Sequence, residues 1–151
     1  MLRSVGPRLR FVVPVLLACA AVPAFVLAAS GDKDRPSISV KASPMIAFSP
    51  ARIVLTADLK GGANDYAQFY CSTVEWDWGD GTVSQESNDC DPYQAGKSEI
   101  KRHYTVDRVF QTSGNYRVEF RLKRNDKVIA SAGTLVKIQP GVHEIGGGGG
   151  R

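Results

Sequence analysis

From Ser37 onward the chain alternates between apolar and polar residues with a period of two, and no segment carries the stripe of an amphipathic helix. Ser37 to Ala42 is the first such run, with Ile38, Val40 and Ala42 on one side. Pro44 and Pro50 bracket a connection holding Met45, Ile46 and Phe48, and Arg52 to Asp58 is β-branched and apolar, a second strand. Lys60 to Asp65, with Gly61 and Gly62, reads as a turn or loop. Thr73 to Trp78 places Val74, Trp76 and Trp78 on one face and Thr73, Glu75 and Asp77 on the other. Ser87 to Lys97 is loop-like, and Ser98 to Val106 is a weaker strand. Tyr116 to Lys123 sets Tyr116, Val118, Phe120 and Leu122 against Arg117, Glu119, Arg121 and Lys123. Asn125-Asp126 makes a turn, and Val128 to Ile138 is a final strand expected to break at Gly133. About seven strands with frequent turn signals predict an all-β antiparallel sandwich, each strand with one buried and one solvated face.

The N-terminal segment follows a different rule. Met1 to Arg10 carries three arginines, Phe11 to Ala29 is almost wholly apolar, and Ala28, Ala29 and Ser30 are small. That order is the signature of a secretory signal peptide, with cleavage expected after Ala28. Two alternatives stay open: an uncleaved membrane anchor, and a lipid attached at Cys19 in the loose lipoprotein box Leu16-Leu17-Ala18-Cys19. Each puts the remainder outside the cytoplasm: secreted, periplasmic or at the cell surface. The expected organisation is a leader over 1–28, a linker over 29–36, one domain over 37–139, and a flexible glycine-rich tail over 140–151.

The leader also changes the reading of charge. The chain has a net charge of +4, but Arg3, Arg8 and Arg10 supply three of those charges. Without the leader the balance is 16 Lys and Arg against 15 Asp and Glu. A nucleic-acid surface needs clustered, retained positive charge, so no nucleic-acid partner is expected.

Cys71 and Cys90 are the only cysteines after the leader, and in an oxidising compartment an isolated pair forms a disulfide. Asp80-Gly81 is a two-residue hairpin signal. A hairpin centred there pairs residues whose numbers sum to 161, which sets Cys71 opposite Cys90 and Glu75 opposite Glu86.

Val74-Glu75-Trp76-Asp77-Trp78-Gly79-Asp80-Gly81-Thr82 resembles the W-D-F-G-D-G-[ST] signature of polycystic-kidney-disease (PKD) domains. Val109 to Val118, with Gly114, Tyr116 and Val118, looks like the family's second segment, H-x-Y-x-x-x-G-x-Y-x-V, and the two stand in the right order. Trp78 replaces the family's Phe, and Arg108-Val109-Phe110 stands where it has His-x-Tyr. The resemblance spans roughly Pro36 to Gln139 and implies an immunoglobulin-like β-sandwich. Trp76 and Trp78 are then core anchors, Gly79, Asp80 and Gly81 the chain reversal, and Tyr116 a tyrosine corner bonding to backbone upstream.

The resemblance further implies a non-catalytic module contacting an extracellular protein or carbohydrate. Loops Lys60–Tyr70 and Asp89–Lys97 are the candidate surfaces, with Tyr66, Phe69, Tyr70 and Tyr93 as candidate contacts. The alternatives are a membrane-anchored spacer or adhesion module, and a calcium-stabilised accessory domain. Calcium would draw on Asp77, Asp80, Asn88, Asp89 and Asp91, but no EF-hand spacing is present, so no cofactor or metal is expected. After the leader, His103 and His143 are the only histidines, and no nucleophile motif or Walker loop accompanies them, so no enzyme activity is expected.

Overall fold

A computed structural model describes residues 32–142. The proposed leader, Cys19, His143 and the Gly146–Gly150 run lie outside the described residues. Ala51–Lys60 (β3) shows how alternation becomes structure. Ala51, Ile53, Leu55, Ala57 and Leu59 are all buried, and the residues between them face outward. β3 pairs antiparallel with Ser37–Ser43 (β1) on one side and His103–Phe110 (β6) on the other, giving a three-stranded sheet.

The second sheet has five strands, in the order Ile46–Phe48 (β2), Lys127–Gln139 (β8), Gly114–Arg124 (β7), Thr73–Asp77 (β4) and Val83–Glu86 (β5). All pairs are antiparallel except β2 with β8, which is parallel. The buried faces of the two sheets meet in one core. Ile53 and Leu55 come from one side, and Val118, Phe120, Leu122 and Val136 from the other. Trp76 and Tyr104 close on Phe120 at ring separations of 4.9 and 5.0 Å. The described residues form an all-β, immunoglobulin-like sandwich.

Five expectations change. Eight strands form, because Ile46–Phe48 pairs with β8 despite its flanking prolines. The reversal at Asp80 is a three-residue loop, closed by the Trp78 amide donating to the Thr82 carbonyl, with Gly79 and Gly81 both at positive φ. The extra residue moves the pairing sum from 161 to 160, so Glu75 faces Gln85, not Glu86. β8 runs unbroken through Gly133, and the irregularity lies between Leu122 and Lys123 of β7. The expected strand over 98–106 begins only at His103, because the preceding backbone is bonded elsewhere. Ile100 donates to Asn64, the Leu59 amide reaches the Arg102 carbonyl, and the Arg102 guanidinium grips the carbonyls of Leu59, Gly61 and Gly62.

Candidate functional site

The tryptophan hairpin is scaffold. Trp76 on β4 and Trp78 just past its end both point inward and stack at 6.1 Å. The Trp78 indole donates to Ser84 Oγ at 2.9 Å, and Arg108 lies 4.7 Å above its ring. Arg108 also donates to Asp80 at 2.6 Å and to the Thr82 hydroxyl at 2.9 Å. Burial works against the Asp80 carboxylate, but the Thr82 hydroxyl and amide and the Arg108 guanidinium together hold it below the usual range. Gly79 is required sterically as well as for its φ of 73°: a Cβ would stand 2.6 Å from the Arg117 carbonyl oxygen. Tyr116 donates to the Thr112 carbonyl at 2.8 Å, which is the tyrosine-corner geometry, and its ring packs on Phe110 at 4.5 Å.

On the outer face of the five-stranded sheet, neighbouring strands present opposite charges. Arg121 of β7 contacts Glu75 at 3.0 Å and Asp77 at 2.8 Å across the strand pair, and Glu119 on its own strand at 2.8 Å. Lys123 reaches Glu75 at 2.8 Å, and Gln85 donates to the same carboxylate. Glu75 is 6% exposed, so this network is covered by its own long side chains. Hydrogen bonds from Lys123, Gln85 and Arg121 outweigh burial and pull its pKa down to about 2. A carboxylate depressed in the folded state contributes stability above its unfolded pKa and loses it as pH falls through the folded value. Acid titration of melting temperature is therefore expected to show a loss between about pH 4.5 and pH 2, of order 2 kcal/mol. Glu75→Gln should abolish most of that acid step.

Asp77 and Asp80 are thus engaged by Arg121 and Arg108, and among the described residues no three His, Cys, Asp or Glu side chains converge on a metal position.

The two candidate loops form one cluster. Cys71 and Cys90 are joined, with Cα atoms 6.1 Å apart. Both cysteines lie outside the strands, because the 160 register and the short β5 end the ladder at Val74 and Glu86. The bridge therefore staples the two loops. The four aromatics hold this cluster together. Phe69 is 2% exposed and unavailable to a ligand, with the Tyr66 ring edge-on at 5.0 Å. Tyr70 and Tyr93 lie 5.5 Å apart, and their hydroxyls donate to the carbonyls of Asp91 and Asp65 at 3.0 and 2.7 Å.

What the cluster leaves open is a groove of about 340 Å³. Asp32, Asp34, Asp65, Tyr66 and Tyr93 line it, with no Lys or Arg among its walls. Tyr66 donates to Asp32 at 2.8 Å, and the Gly96 amide donates to Asp65 at 2.8 Å. Sequence reading missed the three aspartates, since two of them stand in what reads as a linker. The Asp32-Lys33-Asp34 charge run was the available signal.

His103 has partners that the sequence did not reveal. Its Nδ1 lies 2.8 Å from Asp58 and its Nε2 lies 3.0 Å from the Thr105 hydroxyl. The row sits on the outer face of the three-stranded sheet, where the His103 side chain is 66% exposed. Bulk water there denies it the low-dielectric surroundings in which such a relay gains catalytic power.

The fold is a two-sheet, immunoglobulin-like β-sandwich. No protein-family model and no curated relative matches the chain. Among solved structures, the chain is similar to the PKD domain of an M14-like peptidase from Thermoplasmatales archaeon SCGC AB-540-F20. That alignment has 14% identity, covers 70% of this chain and 97% of that one, and gives a TM-score of 0.44. It is also similar to the CARDB domain of the PF1109 protein from Pyrococcus furiosus, solved in complex with di-metal ions. There the identity is 13%, the coverage 70% and 94%, and the TM-score 0.41.

Proposed function

We propose that the chain is a non-catalytic, extracytoplasmic binding module that holds an extracellular protein or carbohydrate in the groove between its two long loops. The observation that carries this reading is the groove itself: Asp32 and Asp34 from the segment before β1 meet Asp65, Tyr66 and Tyr93 from the loops that the disulfide joins. None of Asp32, Asp34 and Asp65 is ion-paired within the described residues, and the internal donors to Asp32 and Asp65 (the Tyr66 hydroxyl and the Asp34 amide, and the Gly96 amide) leave carboxylate lone pairs for hydroxyl or cationic groups. Recognition commonly resides in loops that a rigid scaffold positions. The disulfide suits an oxidising compartment, as does the leader-like N-terminus. The acidic groups of the tryptophan hairpin are spent on structural ion pairs, which supports a non-catalytic role.

The test is capture by the oxidised protein from extracellular and envelope fractions, run beside a glycan array. Asp34→Lys reverses charge in the groove at an exposed side chain and should weaken capture at least tenfold while leaving the melting temperature unchanged. Equal capture by both proteins, or none by the wild type on either platform, sinks the reading.

A further inference from the structure

We propose that the outer face at β2 and β8 is a two-fold interface, and that its occupant is a second copy of this chain. This inference is independent of the loop groove. Met45, Ile46, Phe48 and Leu135 are 57, 58, 65 and 62% exposed. Register places Ile46 beside Lys137 and Phe48 beside Gln139, and sets Leu135 opposite Arg117, so the patch lies on the solvent side of the sheet. Alternation accounts for the direction: Ala47, Val136 and Ile138 take the inward positions of the same strands.

The patch carries both halves of a fit. Two residues along β2 from Phe48, Ile46 borders a groove of about 400 Å³ lined by Met45, Ile46, Asn115, Leu135, Val136 and Lys137. That volume is more than a phenyl side chain displaces. A knob and a hole on one surface are what an isologous contact requires, since a two-fold axis seats each copy's Phe48 in the other's groove.

Area points the same way. From their exposed fractions the four apolar residues present roughly 500 Å², the size of a monomer's largest patch, which is often a functional one. Adding the polar rim of Asn115, Arg117, Thr134 and Lys137 brings the face toward the roughly 800 Å² that each partner of a standard interface buries. The apolar share is then near the ~65% found in homodimers.

Charge favours a like partner over an anionic lipid surface. Residues 32–142 hold 15 Lys and Arg against 14 Asp and Glu, a net charge of +1. A nearly neutral domain has little field to draw it to a charged membrane, and of the two cations in the rim Arg117 is paired with Glu119 at 3.4 Å.

Sedimentation equilibrium of the full oxidised chain tests the proposal. The wild type should reach twice the chain mass at tens of micromolar. Phe48→Glu and Leu135→Glu should each weaken association about thirtyfold or more, the loss expected when a central contact is removed, with circular dichroism unchanged. Val83→Glu, at an exposed apolar position on β5, should leave the dimer intact. A monomeric wild type overturns the proposal. So does a dimer that survives both patch substitutions, equal disruption by Val83→Glu, or a monomer that co-floats with anionic vesicles.

Discussion

Phe120→Ala is expected to remove about 4 kcal/mol from the stability of this domain, the largest loss from any single truncation considered. The ring is fully buried on β7, and it touches partners from both sheets. Trp76, its register partner on β4, meets it at 4.9 Å and 62°, and Tyr104 from the opposite sheet lies at 5.0 Å. Truncation loses the transfer free energy of the ring and leaves a cavity that its neighbours are poorly placed to fill. Trp76 is stacked on Trp78, which is itself held by Ser84 and covered by Arg108. Tyr104 is anchored in β6, with Lys101 over its ring at 4.9 Å. Burial pushes its phenol up to about 12, so it stays neutral through any ordinary titration. Urea unfolding checks the value: the midpoint should fall with an unchanged slope, and the melting temperature should drop by about 15 °C. A loss below about 1 kcal/mol would show that the two sheets do not close on this ring.

Removing the disulfide is the second large effect. Cys71 and Cys90 close a loop with a sequence separation of 19, for which chain entropy gives about 3 kcal/mol. The double variant Cys71→Ser/Cys90→Ser should melt about 10 °C lower, and a reductant should bring the wild type down by the same amount. Loss of the loop cluster itself is not expected. The hydroxyls of Tyr70 and Tyr93 still reach the carbonyls of Asp91 and Asp65, and Phe69 still anchors in the core. The loops should therefore open at a lower temperature without changing the native near-ultraviolet spectrum. A melting temperature indifferent to reduction would show that these tyrosine contacts already supply the constraint.

Period-two alternation made β3, β4 and β7 readable, because each buries a continuous row of side chains on one face. It failed where something other than a ladder satisfies the backbone. Ser98 to Arg102 has strand-like composition, yet its partners are the 59–64 turn and the Arg102 guanidinium. Ile46–Phe48 was hidden by its flanking prolines, Pro44 and Pro50, although a three-residue pairing leaves both outside the strand. The hairpin was misread by one residue, since Gly79 extends the loop that Asp80-Gly81 alone suggests. The Glu75–Arg121–Lys123 network is legible in principle: alternation gives both strands outward charged faces, but nothing in a linear pattern says which strands become neighbours. The acidic groove depended on the same missing information, because Asp32 and Asp34 meet Asp65 only through tertiary folding.

The parallel pairing of β2 with β8 has a mechanical consequence. One strand belongs to the N-terminal part of the domain and the other to its C-terminal end, and the Lys137 and Ser49 amides clip them together through the carbonyls of Met45 and Gln139. Because the two strands are parallel, forces pulling β2 and β8 along their axes in opposite directions would load both clips at once in shear instead of unzipping them in turn.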